Sequence, residues 1–362
     1  MQEMFDVIVV GASLAGASAA IRLGQAGLKV ALVDKASFPR RKPCGEGLSS
    51  YGLAQLATLG LKDRVLKLPH LPYLGYQIKT GESRAFIKSP WAGSITIQRI
   101  FLDTELVRAA LECPNITPLL SRPVTEITQN SITLESRKLT AKRVVLACGS
   151  NSRLLQTIPC VLKRSGPSRS GVSAIFKGEF QQLPRFINIL LKKKYELFCT
   201  PLADGYLNVS VLTPTASSLN IREVLSSDKV LHEVFAECFF KGTLEFAPQG
   251  RAKIGNVSRS CLLPGVLLAG DAKEEFDPIG GMGMSHALSS GIHVAETILK
   301  ELARSAPSVL FEKRPTSTRA MRRFTTLSYT TLRGAKHFPI ILPMVASPVG
   351  LKVLKFLTRE LA

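Results

Sequence analysis

The chain has 362 residues, 45% of them hydrophobic, with 27 Gly and 21 Pro. That length allows one large or two interleaved domains with their own cores, and the composition excludes a disordered or low-complexity chain. Lys and Arg number 47 against 27 Asp and Glu, a net charge of +20 that favours an anionic partner such as a membrane surface or an acidic substrate.

No nucleic-acid motif accompanies the charge and the basic residues are spread out, so nucleic acid is not an expected partner. The seven cysteines show no paired CxxC spacing, which argues against a disulfide framework and a metal site and for a cytoplasmic protein. The first strand begins at Phe5, so no signal peptide is expected.

In chain order, Phe5 to Val10 is a short β-branched run with the composition of a buried parallel strand. It ends in Gly11-Ala-Ser13-Leu-Ala15-Gly16. Gly11 permits a tight turn, Gly16 lets the following helix lie close to the strand, and the helix N-terminus offers N–H groups to a pyrophosphate. A second strand, residues 29–33, ends in Asp34 and Lys35, where an acidic residue accepts ribose hydroxyls. The pattern predicts a dinucleotide-binding βαβ unit.

A loop and helix follow to about residue 60, then strands near 74–88, a helix over 101–112 and short strands to Val145. The loop holds Lys42-Pro43-Cys44-Gly45-Glu46-Gly47. Cys44 stands outside any apolar run and is a candidate catalytic residue, with a packing role as the alternative. Glu46 is either a proton donor or a surface glutamate. A strand-rich stretch covers 171–212, a helix is expected at about 220–240, and Val266 to Leu268 is another buried strand.

That strand ends in Gly270-Asp271, whose carboxylate could accept hydrogen bonds from a sugar-alcohol chain. Pro278-Ile-Gly-Gly281-Met-Gly283-Met284 then opens a long helix over 283–304. Its free N–H groups would favour negative charge, as a reduced flavin carries at its pyrimidine edge. Two glycine-rich openings suit the two halves of FAD.

These segments resemble the FAD-binding fold shared by aromatic hydroxylases and geranylgeranyl reductases, over roughly residues 5–304. The resemblance implies an α/β fold: a Rossmann-type FAD-binding fold with an inserted antiparallel substrate sheet, similar to glutathione reductase and p-hydroxybenzoate hydroxylase. It implies domains at 1–170 with 250–304 (with an insert near 70–98), a substrate sheet at 171–249, and a basic helical tail at 305–362. It also implies that Arg99, at a helix start, touches the FAD, and that a backbone group at Val124 contacts adenine.

Two motifs lean toward the reductase branch: the Cys44-Gly45 loop, which the resemblance places beside the flavin, and Tyr195-Glu-Leu-Phe198-Cys-Thr-Pro201 followed by Asp204-Gly205 and Asn208-Val209. Leu197 replaces the tryptophan of that second motif. Cys148-Gly149 replaces the Asp-Gly pair of the hydroxylases, which counts against their mode of nicotinamide handling; NADPH or NADH stays open as electron donor, without a recognisable site. Halogenases of the fold carry a Trp-x-Trp signature, and Trp91 is the single tryptophan.

Tyr195 and Phe198 are expected to line a substrate pocket, and His286 is a pocket residue or a packing one. His70, His232, His293 and His337 have no partners at ligand or triad spacing. The expected function is FAD-dependent oxidation–reduction of an apolar or lipid-like substrate, with a monooxygenase of the same fold as the alternative. From Pro348 a final helix gathers Val349, Val353, Phe356 and Leu357 on one face and Lys352, Lys355 and Arg359 opposite. This pattern fits docking on the body or peripheral attachment to an anionic membrane.

Overall fold

A computed structural model describes residues 4–362 apart from 82, 90–92, 136, 181–182, 193, 214–242, 304–315, 338–346 and 348–362. The helices expected at 220–240 and 348–362, and Trp91, fall outside the described residues.

The βαβ unit forms as its sequence implies. Strands Met4–Val10 and Val30–Val33 pair in parallel, and helix Leu14–Gln25 connects them. Val7, Ile8, Val9 and all four residues of the second strand are fully buried, as befits strands covered on both faces. Strand Ile116–Leu119 extends the parallel run on one side, and Arg137–Leu146 with Val266–Leu268 extends it on the other. Two antiparallel strands, Val124–Ile127 and Ser131–Leu134, complete seven.

The second sheet has eight strands. Its long members are Cys160–Lys177 and Thr243–Cys261, paired antiparallel over most of their length. Tyr206–Thr213, Glu196–Leu202 and Phe186–Leu191 continue it. Beyond them lie Gly75–Thr80 and Ser83–Lys88, so residues near 70–98 largely build this sheet and its strands extend past 171–249. The sheet is not wholly antiparallel, because Phe186–Leu191 runs parallel to Gly75–Thr80.

Alternation along Glu196–Leu202 sorts its side chains between two sides. Leu197 and Cys199 join a buried cluster with Leu207, Val209 and Val211, while Phe198 and Thr200 face a cavity.

Helix Gly283–Leu302 packs on Leu14–Gln25. A Cβ at Gly291 would stand 2.1 Å from the Ala15 carbonyl oxygen. Helix Thr316–His337 lies within the basic tail. Its Ala320 and Met321 bury against Phe276 and Met282, Arg322 pairs with buried Glu274, and Thr325 lies against Gly280. Its sequence is rich in Thr, Ser and Arg, yet its apolar residues recur at helical spacing. Among the described residues no helix is long and apolar enough to cross a membrane.

Candidate functional site

The first glycine turn is held by close backbone contact. A Cβ on Gly16 would lie 1.6 Å from the Gly11 carbonyl oxygen, and one on Gly11 would lie 2.5 Å from that of Ala147. Asp34 braces this turn: one carboxylate oxygen accepts the Ala12 N–H at 2.7 Å and the other the Ala36 N–H at 2.9 Å. Asp34 is therefore a structural clamp in its own right, with Lys35 exposed beside it. The Arg122 N–H donates to the Asp34 carbonyl at 2.9 Å, which brings the turn before Val124 alongside.

Beside the turn lies a cavity of about 240 Å3 where the two sheets meet. Ser13 and Ala15 reach it from the first helix start, and Gly283, Met284 and Ala287 from the long helix. Cys44, Gly45, Arg99, Asp271, Pro278 and Gly281 also line it. The N-terminal turns of both helices, with the free N–H groups such turns carry, thus adjoin one space. At Gly45, Gly149 and Gly283 an added Cβ would meet no atom within 4 Å, and all three border the cavity. Bare backbone on several sides makes a cradle that a flat ring system fits. The far wall is apolar: Val172, Ile187, Ile189, Phe198, Leu212 and Ile254 come from the eight-stranded sheet.

Arg99 is buried, and its charge is held by Asp103, whose two oxygens it meets at 2.9 Å. The same guanidinium donates to Ser13 Oγ at 2.8 Å, and Ser13 Oγ donates to Asp103 at 3.0 Å. Arg99 thereby ties the glycine turn to helix Arg99–Leu111. The 42–47 loop is clamped from two sides. Asn208 Nδ2 donates to the Cys44 carbonyl at 3.1 Å from the sheet, and the Glu46 carboxylate accepts the Arg99 N–H at 2.6 Å.

Burial pushes the Cys44 thiol up, reinforced by the neighbouring Glu46 and opposed by Arg99. Burial also raises the Glu46 carboxyl to about 8, against the pull of Arg99 and Arg41. At neutral pH both are protonated. Tyr73 and Tyr76 line the same cavity with hydroxyls 3.4 Å apart, and burial raises both phenols.

Two expected pocket residues are elsewhere. Tyr195 packs on the Leu197–Cys199 cluster, because it shares their parity along the chain rather than that of Phe198. His286 is buried behind Phe276, with ring centroids 4.8 Å apart, and it is Phe276 that lines the cavity. Desolvation lowers the His286 pKa, which leaves its ring neutral at neutral pH. Gly270 stands behind Ala15, its N–H donating to Ser290 Oγ at 2.9 Å.

Sequence reasoning missed a buried ion cluster beneath the cavity. Arg169 meets Glu196 at 2.5 Å and Asp277 at 2.7 Å. Asp277 also accepts the Ile279 N–H at 3.0 Å, which fixes the turn carrying Pro278 and Gly281. The Asp-Pro step was the one local signal for that cap; nothing near Arg169 announced its partners. Arg259 was missed for the same reason. It donates to the carbonyls of Ser150 and Asp271, joining two loops beside the cavity.

Comparison with known proteins bears out the resemblance. A family described as pyridine nucleotide-disulphide oxidoreductase matches residues 5–173. Menaquinone reductase of Mycobacterium tuberculosis is 25% identical over 86% of this chain and 81% of its own length. Squalene monooxygenase of Mus musculus is 24% identical over 82% of this chain and 55% of its own. A solved flavoprotein/dehydrogenase from Cytophaga hutchinsonii, 22% identical, superposes with a TM-score of 0.78 over 99% of this chain and 96% of that one. The chain is an FAD-dependent oxidoreductase with a Rossmann-type α/β fold.

Proposed function

We propose that the protein reduces an apolar, lipid-like substrate held between bound FAD and the eight-stranded sheet. The observation that carries this reading is the two-sided cavity, with bare glycine backbone on one wall and aliphatic and aromatic side chains on the other. The relatives' named substrates, menaquinone and squalene, are of the same apolar character.

In this reading the Gly11–Gly16 turn and Ser13 receive the pyrophosphate, and Asp34, Lys35 and Val124 lie at the adenosine end. Asp271 would serve the ribitol chain, with Gly270 shaping the turn that presents it. Pro278, Gly281, Gly283 and Met284 border one edge of the flavin ring, and Cys44 and Gly45 the other. Bound there, FAD supplies two-electron transfer, with NADPH or NADH as the donor that reloads it. The chain contributes orientation and dryness: Asn208 and Arg99 hold the Cys44 loop, the sheet wall excludes water, and the neutral Tyr73 and Tyr76 hydroxyls offer hydrogen bonds to a substrate oxygen.

The purified protein should be yellow and release FAD. Reduced anaerobically, it should return to the oxidised spectrum on mixing with an apolar quinone or polyprenyl substrate. A colourless protein, or one indifferent to every such substrate, overturns the reading. The likeness to squalene monooxygenase supports a second reading, oxygenation of the same class of substrate. Product carrying oxygen from labelled O2 would select it.

The +20 charge and the basic amphipathic pattern of 348–362 support peripheral attachment to anionic membranes. Each basic residue near the surface contributes about 1 kcal/mol, screened by salt. Co-sedimentation with anionic liposomes should weaken with salt and with removal of 348–362; indifference to liposomes at low salt overturns it.

A further inference from the structure

We propose that Glu46 is the acid that protonates the substrate during its two-electron reduction. The inference rests on the reductive reading above. Its basis is the position of one buried carboxyl at the edge of the cavity. Glu46 lines the cavity, and Arg41, Lys42, Gln98, Arg99 and Ile100 pack around it.

The backbone at Glu46 is built to hold it there. Its φ is +62° although it is not glycine, and the residue is 3% exposed. A buried side chain in the left-handed region persists only where surrounding contacts hold it, and such positions cluster at functional sites. Those contacts are present. The Glu46 carbonyl accepts the Ile97 N–H at 2.9 Å, its own N–H donates to Cys44 Sγ at 3.4 Å, and Oε2 accepts the Arg99 N–H at 2.6 Å. With Oε2 engaged as an acceptor, the other oxygen carries the proton.

The surrounding charges match the task. Desolvation opposes the ionised form most strongly and Asp103 adds to it, while Arg99 and Arg41 favour it. Arg99 is already paired with Asp103, so it does not hold Glu46 permanently as a carboxylate. The balance is a carboxyl raised to about 8, an acid that is loaded at neutral pH and gives up its proton without extreme cost.

The step balances. One hydride from the bound reductant and one proton from Glu46 reduce a carbon–carbon double bond or a quinone carbonyl. The carboxyl O–H bond breaks, a C–H or O–H bond forms on the substrate, and the carboxylate regains a proton from solvent.

The test compares wild-type FAD-bound protein with Glu46→Gln, which keeps an oxygen for the Arg99 N–H, and with Glu46→Asp. The midpoint potential of the bound flavin is measured between about pH 6 and about pH 10, a window bracketing the raised carboxyl. It should change slope near the Glu46 titration in the wild type and not in Glu46→Gln. Reduction of the quinone menadione should fall by about 10²–10⁴-fold in Glu46→Gln, the usual contribution of a positioned acid. The alkaline loss of rate should vanish with it, and Glu46→Asp should restore part of both.

A Glu46→Gln protein that keeps its FAD but shows wild-type rate, pH profile and potential slope overturns the proposal. If menadione is not reduced by the wild type, the substrate reading fails at that compound, while the potential measurement still decides whether Glu46 titrates against the flavin.

Discussion

The glycine turn at residues 11–16 and the cavity floor around Arg169 are both buried and both serve the same site, yet they are built from opposite materials. The turn is backbone against backbone: its tightest approach, 1.6 Å from a Gly16 Cβ to the Gly11 oxygen, leaves no room for any side chain. Its members lie within a few residues of one another. The floor is side chain against side chain, one arginine between carboxylates 27 and 108 residues away. The first region has no room for added volume, and the second is sensitive to any unbalanced change of charge. Shape there is negotiable.

The sharpest way to expose that difference is Gly16→Val. It should cost more than about 4 kcal/mol, the top of the range for single substitutions, and denaturant unfolding together with flavin content should show both stability and FAD lost. Near-normal FAD content would mean that the turn relaxes and the contrast is false. Arg169→Met comes next. Leaving Glu196 and Asp277 buried without their cation should cost about 3–5 kcal/mol. The triple variant Arg169→Met, Glu196→Gln, Asp277→Asn should recover most of that loss in the same unfolding assay, because the penalty is one of charge. No comparable rescue exists for Gly16.

Glu46 extends the charge-dependent behaviour to pH. Its folded-state value of about 8 lies above the ordinary 4.5, so the folded protein binds this proton more tightly than the unfolded chain. Its contribution is fully present below about pH 4.5, declines as pH rises, and is lost above about pH 8. Thermal unfolding between these limits should show a fall in wild-type stability that Glu46→Gln flattens. Asp34 tests the other side, since its carboxylate braces the glycine turn through backbone N–H groups. Asp34→Ala strips the Ala12 and Ala36 N–H groups of their acceptor and should cost about 1–3 kcal/mol, with FAD affinity falling about tenfold for each 1.4 kcal/mol lost from the bound state.

The smallest effect is expected at Tyr195→Phe. Tyr195 packs on the sheet face away from the cavity, so its loss should change stability by less than about 0.5 kcal/mol and leave substrate KM unaltered. A shift in KM would put its side chain in the cavity after all.

What could be read from the chain alone was whatever depends on near neighbours in sequence. The strand–turn–helix at 5–16, the acidic end of the second strand, and the glycines opening the 283 helix are short-range patterns whose physical cause is local backbone geometry. They led to FAD and to the α/β fold. Phe198 was legible in a motif, but Tyr195 was misplaced because the motif does not state which side of the strand faces the cavity; register and neighbouring strands decide that.

Tertiary structure alone joined Cys44 to Asn208 and Glu46 to Arg99, placed Arg169 between two distant carboxylates, seated helix Thr316–His337 on the 278–281 turn, and set Phe276 in front of His286. Apart from the Phe276–His286 pair, each joins parts of the chain far apart in sequence, and ion pairs and hydrogen bonds of that kind exist only once the strands have paired.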